Sequence, residues 1–361
     1  MEKPKKSVRR KGRAVTIDEV AALANVSPMT VSRVVNGYGK VRESTRERVT
    51  QAVRELGYTP NQAASSLAAA QDTRIALIYT NPSAAYLREL LVGALNGASR
   101  TAAQLVIDTW ENFDAEQQRH AARALAKTVA GAILPPPLCE SKAIVSELVN
   151  AGVAVVAIAS GRFSQEISSV RIDDFHASRE ITAHLIALGH TRIGYIKGNP
   201  NQTASARRYE GFQAAMSEAG IALDSALVQQ GYFTYRSGLD ATEKLLGLRK
   251  PPTAIFASND DMASAVISVA HRRGLDVPRD LSVVGFDDTS AATTVWPELT
   301  TIHQPIASMA DSAVDILLRN IRRKDRNTRV VVDHVLPHQL VSRDSVAPPA
   351  KPAGPDDATG Q

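Results

Sequence analysis

Residues 16–37 read Thr16-Ile17-Asp18-Glu19-Val20-Ala21-Ala22-Leu23-Ala24-Asn25-Val26-Ser27-Pro28-Met29-Thr30-Val31-Ser32-Arg33-Val34-Val35-Asn36-Gly37. Ile17, Val20, Ala21 and Ala24 recur at helical spacing, and Thr16 with Glu19 three residues on has the spacing of a capping box. A first helix therefore begins here. Asn25-Val26-Ser27 breaks it. Ser27 is placed to cap a second helix with Pro28 at its first position, Val31, Val34 and Val35 form the inner face, and Asn36-Gly37 ends it. The same periodicity predicts a third helix from about Glu43 to Leu56, with Val49, Ala52, Val53 and Leu56 inward. Two short helices across a tight turn fit a helix-turn-helix, whose second helix lies in the DNA major groove. Small helix pairs are common, so the spacing alone leaves the partner open.

The charge around this stretch narrows it. Residues 1–70 carry thirteen Lys and Arg against six Asp and Glu, a net of +7 in a chain whose total is +5, which leaves about −2 for everything after. A basic front on a slightly acidic body suggests a segment that meets a polyanion. Residues 1–14 hold seven of those cations without apolar periodicity and read as a disordered basic arm, which by itself could be merely solubilising. The 361 residues are enough for two or three cored units, and 44% hydrophobic content excludes a wholly disordered chain. No uncharged apolar run reaches the roughly 18 residues that cross a bilayer, and the basic start leads into Thr16-Ile17-Asp18-Glu19 instead of a signal core. The lone Cys139 forms no intrachain disulfide or multi-cysteine zinc site, in keeping with the cytoplasm.

Beyond the third helix, residues 57–72 are uncharged until Asp72 and rich in Ala and Ser, a linker that becomes helical only when something holds it. From Thr73 short apolar runs alternate with helix-length segments. They fall at 75–78, 105–107, 131–134, 153–158, 193–196, 254–257 and 281–286. The pattern predicts an α/β core of two doubly wound parallel sheets, split near residue 174, with a ligand cleft at the carboxyl ends of the strands. Residues 344–361 read as a disordered tail.

The residues themselves then resemble one family. Ile17 to Gly37, Thr45-Arg46-Glu47-Arg48-Val49 and Leu56-Gly57-Tyr58-Thr59-Pro60-Asn61 closely resemble the DNA-binding head of the lactose/galactose repressor (LacI/GalR) family. The likeness continues through Ala183 to His190, Arg208-Tyr209-Glu210-Gly211-Phe212, Ser258 to Ala263, Val284 to Asp288 and Leu299 to Pro305, covering roughly residues 15–343. It implies a helix-turn-helix head (15–60), a hinge helix (61–72) and a periplasmic-binding-protein-like core (73–343). One subdomain would take about 73–173 and 304–330, the other 174–303 and 331–343.

Ser27, Thr30, Ser32 and Arg33 bring hydroxyl and guanidinium donors to the second helix, suited to phosphates or base edges. By resemblance Pro28 and Met29 discriminate operators, through apolar contact or shape, and Thr16, Asn36, Tyr58 and Asn61 hold phosphates. Core packing is the competing reading for Met29 and Tyr58. In the hinge, Leu67 would wedge into the minor groove while Ala64 and Ala68 let two hinges approach. Arg42 stands where the family has a serine cap, so Ser44 with Glu47 is the substitute expected for the third helix.

Effector contacts map by resemblance onto Tyr86, Leu87, Asp173, Arg208, Phe233, Asn259, Asp260 and Asp287, with Trp296 a further aromatic. Carboxylates, Asn and Arg chelate neighbouring hydroxyls and aromatic faces cover a sugar's C–H surface, which points to a neutral sugar or glycoside. A purine or phosphosugar effector is the alternative; a sugar-binding protein without a DNA role is a more distant one. There is no Gly-x-Ser-x-Gly elbow, His-Glu-x-x-His or phosphate loop, so neither an enzyme nor a cofactor or metal is implied. The expected partners are pseudo-palindromic operator duplex, a small effector and a second copy of the chain, since the Pro-rich tail lacks a tetramerising leucine heptad.

Overall fold

The computed structural model describes residues 15–35, 41–58, 73–80, 83–111, 113–323 and 329–350. The chain divides into two compact units, 1–72 and 73–361.

In the first unit α1 (Ile17–Ala24), α2 (Pro28–Val35) and α3 (Glu43–Leu56) form as their capping and periodicity dictate. Thr16 N–H donates to Glu19 Oε2 at 2.7 Å while Thr16 Oγ1 accepts from Glu19 N–H at 3.4 Å, which closes the capping box. Asn25, at φ 50°, ends α1 in the left-handed region. Ser27 Oγ accepts from Thr30 N–H at 3.2 Å at the head of α2. Val20, Ala21, Ala24, Val31, Val49 and Ala52 form the buried centre, and Val34, Val53, Leu56 and Tyr58 pack at its margin. The expected Ser44 cap does not form. The helix already contains Glu43 and Ser44, and Arg42 contributes only its carbonyl, which accepts from the N–H groups of Thr45 and Arg46 at 2.9 and 3.0 Å.

The second unit has two lobes. Strands β1 (Arg74–Tyr79), β2 (Gln104–Thr109), β3 (Gly131–Leu134), β4 (Ala154–Ile158) and β5 (Ser168–Arg171) alternate with α4 (Ala84–Thr101), α5 (Ala115–Leu125) and α6 (Lys142–Asn150). Next come α7 (Asp174–Ala187), β6 (Ile193–Lys197), α8 (Thr203–Glu218), β7 (Val228–Gln230), α9 (Tyr235–Leu246), β8 (Ala254–Ala257), α10 (Asp260–Arg272), β9 (Ser282–Val284), α11 (Ser290–Thr294) and β10 (Thr301–His303). The chain closes with α12 (Ile306–Arg322), β11 (Asp333–Val335) and β12 (Gln339–Val341). The first sheet is wholly parallel in the order β11-β5-β4-β3-β1-β2, and the second runs β7-β6-β8-β9. β10 and β12 pair antiparallel beside the second sheet, tied to it by bridges from Val284 to Thr300 and Asp287 to His303.

Packing explains why the chain returns to the first lobe through α12. A Cβ on Gly93 of α4 would lie 2.0 Å from the Ala307 carbonyl, so the two helices touch at backbone distance. Ala310, Ala313, Val314 and Leu317 of α12 are fully buried with Ile75, Leu77, Ile133 and Val156 of the sheet.

Two expected boundaries are corrected. Residues 331–343 do not lie wholly in the second lobe, because Asp333–Val335 pairs with Ser169–Arg171 as an edge of the first sheet, fixed by a bidentate Arg171–Asp333 ion pair at 2.9 and 2.7 Å. Residues 344–350 are docked instead of forming part of a loose tail. Ser345 Oγ donates to the Val283 carbonyl at 2.6 Å and accepts from Thr300 N–H at 2.8 Å, and the Ala347 carbonyl accepts from Ser282 Oγ at 2.9 Å. The segment satisfies backbone groups at the open side of β9, which a sheet edge requires.

Candidate functional site

A small cavity of about 40 Å³ opens between the lobes, lined by Ser83, Tyr86, Pro136, Ala159, Gln202, Ala204, Arg208, Phe233, Asn259 and Asp287. Most of its members follow the carboxyl ends of strands, as a doubly wound fold dictates, while Tyr86 and Arg208 project from the helices that come next. Ala159, Phe233 and Asp287 have φ of 54°, 61° and 111°, a gathering of non-glycine residues in the left-handed region that marks a strained, purposeful wall. Gly198 makes room for it: a Cβ there would strike the Phe233 ring at 2.0 Å.

Arg208, projected from α8, is the centre. Its Nε donates to Asp174 Oδ1 at 2.8 Å, Nη1 donates to the Ser258 carbonyl at 2.6 Å and lies 3.5 Å from Asp287 Oδ1, and the guanidinium sits 3.7 Å above the Phe286 ring. Burial works against its charge, but Asp174 and Asp287 outweigh that and hold it protonated. Asp287 accepts from Gln304 Nε2 at 2.6 Å, yet burial pushes its carboxyl up to about 7. Asn259 caps α10, accepting from Met262 N–H at 3.0 Å, and donates to the Phe233 carbonyl at 3.1 Å, which fixes the aromatic wall. Tyr86, held in α4 by its Ser83 cap, is buried and its hydroxyl has no hydrogen-bond partner among the described residues. Gln304 Oε1 likewise has none among them. Burial also raises the Tyr86 pKa, so the phenol remains a neutral donor.

Tyr86, Arg208, Phe233, Asn259 and Asp287 are thus brought together as expected. The other four are placed elsewhere. Asp173 caps α7, accepting from His176 N–H at 3.1 Å, and pairs with the His176 ring at 2.7 Å; its neighbour Asp174 is the buried partner of Arg208. Asp260 is buried behind the wall, accepting from Thr301 Oγ1 at 2.7 Å and Thr289 N–H at 2.8 Å, a structural tie. Leu87 packs on the first-lobe core, and Trp296 is 76% exposed away from the lining. Ser83, Pro136, Ala159, Gln202 and Ala204 were missed. Each lies close after a strand, a signal that residue chemistry alone does not carry.

Two carboxylates cross between the lobes beside the cavity. Glu140, after β3, accepts from Thr203 N–H at 2.9 Å and Thr203 Oγ1 at 2.7 Å, capping α8 from the other lobe. Gly161 N–H donates to the same Oγ1 at 3.0 Å, and a Cβ there would lie 2.4 Å from Ala204 N. In the reverse direction Asp261 of α10 bonds Ser83, the cap of α4. Burial raises the pKa of both carboxyls.

On the head, Ser27, Pro28, Met29 and Arg33 are exposed and Thr16, Thr30 and Ser32 half-buried. Met29 is 65% exposed, which removes it from the core, whereas Tyr58 packs against that core. Asn36, Asn61, Ala64 and Leu67 lie outside the described residues.

A helix-turn-helix head joined to a bilobed core with a polar ligand cleft defines a ligand-responsive DNA-binding regulator. The family comparisons agree: residues 16–61 match the bacterial regulatory proteins of the lacI family and 182–346 the periplasmic binding protein-like domain. The chain is 35% identical to the HTH-type transcriptional regulator DegA of Bacillus subtilis, over 92% of this chain and 98% of that protein. It is 32% identical to the HTH-type transcriptional repressor PurR of Haemophilus influenzae, with 92% and 98% covered. Among solved structures it resembles a CelR–cellobiose complex (TM-score 0.70, 31% identity, 92% and 99% covered) and a lac repressor dimer bound to operator (0.68, 29%, 93% and 100%). The chain belongs to the lacI family of bacterial transcriptional regulators. Its relatives are DNA-binding regulators, not enzymes.

Proposed function

We propose that this regulator is a cytoplasmic homodimer that represses sugar or glycoside genes and is controlled by a neutral polyhydroxylated effector in the cleft. The carrying observation is Arg208. Among the described residues it is the one cation of the lining, and Asp174 already holds its Nε at 2.8 Å, so the lining offers a phosphate no unpaired positive charge. Sugar hydroxyls instead find paired demands: an acceptor for the Tyr86 hydroxyl and donors for Asp287, with the Phe233 ring against C–H groups. The likeness to a cellobiose complex supports this reading, and the likeness to PurR keeps a purine as the second one. A purine would stack on Phe233 and use Asn259.

The exposed Ser27, Pro28, Met29 and Arg33 support reading of the operator by α2, with Asn36 and Asn61 on phosphates, Leu67 as the minor-groove wedge and Ala64 as the small residue that lets two hinges approach. The test is anisotropy titration on a duplex selected by the protein from random sequence. Binding should be salt-dependent and the selected site palindromic, and Leu67→Ala should weaken it more than binding to random DNA. Equal losses on both would remove the wedge, and a protein that selects no sequence would overturn the repressor reading.

A further inference from the structure

The core carries a second surface suited to nucleic acid, at the end of the first sheet opposite the cleft. All six strands begin at that end. Arg74 opens β1, and its carbonyl accepts from Ala130 N–H at 2.8 Å just ahead of β3. Arg329 donates to the carbonyls of Gly152 and Val153 at 2.7 and 3.3 Å, just ahead of β4. A Cβ on Gly131, the first residue of β3, would meet Leu317 and Ile321 side chains within 2.9 Å, so the last turns of α12 end at the same rim.

Arg74, Lys127 in the turn before β3, and Arg319 and Arg322 in the last turn of α12 therefore share one edge. All four residues are exposed, and none has a carboxylate partner among the described residues. Among the described residues, Arg123 holds Glu147, and Arg100 holds Asp311 and Asp315. This concentration of cations stands on a core whose net charge is slightly negative. The chain also enters the core here, at Thr73. The stretch from Tyr58 to Thr73 spans at most about 54 Å at roughly 3.3–3.6 Å per residue, which tethers the head to this end of the core.

We propose that the Arg74, Lys127, Arg319 and Arg322 rim binds phosphates of the duplex flanking the operator, adding sequence-independent affinity to the head's reading. The proposal rests on the head binding DNA, and the test separates the two. Full-length protein is titrated on an operator duplex ending at the site and on one extended by about 15 base pairs at each end, over a series of salt concentrations. The long duplex should bind the dimer at least about tenfold tighter at low salt, with log K falling more steeply with log salt by about four to seven. Arg319→Gln with Arg322→Gln, four cations per dimer, should lower the long-duplex slope by about four and leave the short duplex unchanged. Lys127→Gln, on a different element, should lower it by about two. Equal slopes on the two duplexes, or equal losses on both in these variants, would overturn the proposal. Failure to bind even the short duplex would overturn the head's role, on which the rim depends.

Discussion

Two buried groups in the cleft make opposite statements about what they lack. The Tyr86 hydroxyl has lost water without gaining a partner, a debt an effector hydroxyl would settle. Tyr86→Phe should therefore leave the midpoint of thermal unfolding of the free protein unchanged or slightly raised, while weakening the effector by about 5–10-fold. A variant that binds as tightly as wild type would remove this donor from the site. Asp287 keeps its proton to about pH 7, against an ordinary value of 3.8, because burial disfavours its charge. The native state then binds more protons than the unfolded chain between about pH 4 and 7, so this group's contribution to stability falls as pH rises through that window. Effector binding runs the other way, since only the ionised carboxylate accepts two hydroxyls. Affinity should drop as pH is lowered through about 7, and Asp287→Asn should bind weakly and without that dependence. A pH-independent wild type would contradict the assignment.

At the scale of elements, the latch between lobes matters more than any single wall residue. Glu140 holds the N-terminus of α8, the helix that carries Arg208, from across the cleft. Glu140→Ala removes charge-assisted hydrogen bonds worth about 1.5–3 kcal/mol without touching the cavity lining. It should lower effector affinity about tenfold or more and enlarge the radius of gyration of the liganded protein in solution scattering. Unchanged affinity with unchanged scattering would make Glu140 a mere helix cap. Elements also show what the sequence could reveal. The apolar runs of β1, β3, β4, β6, β8 and β9 are strands as read, because strands buried on both faces are continuously apolar. Ser168–Arg171 and Asp333–Val335 escaped, being short, polar and at or next to an edge, where pairing is fixed by Arg171 and Asp333 instead of hydrophobicity. The third helix, α3, starts at Glu43 as its periodicity predicts; only the Ser44 cap fails, because a backbone carbonyl at Arg42 needs no capping side chain.

For the whole molecule, charge asymmetry and helix periodicity made the DNA-binding head legible, and alternation of strand and helix made the two-lobed core legible. The cleft was legible only in part. Arg208, Asn259 and Asp287 declare themselves by chemistry, but Pro136, Ala159 and Ala204 matter by position, which only the fold supplies. Asp173 and Asp174 differ by one residue, and helix geometry alone decides which is buried. The chain is expected to sediment as a dimer at micromolar concentration, and a stable tetramer would contradict that assembly. The most direct test of the account is thermal unfolding of the intact protein against neutral sugars and glycosides, phosphosugars and purines, since a ligand bound only by the folded state raises the midpoint. The account predicts a rise with one class of neutral sugar and none with phosphosugars or purines. A rise with a purine or phosphosugar, and none with any neutral sugar, would contradict it.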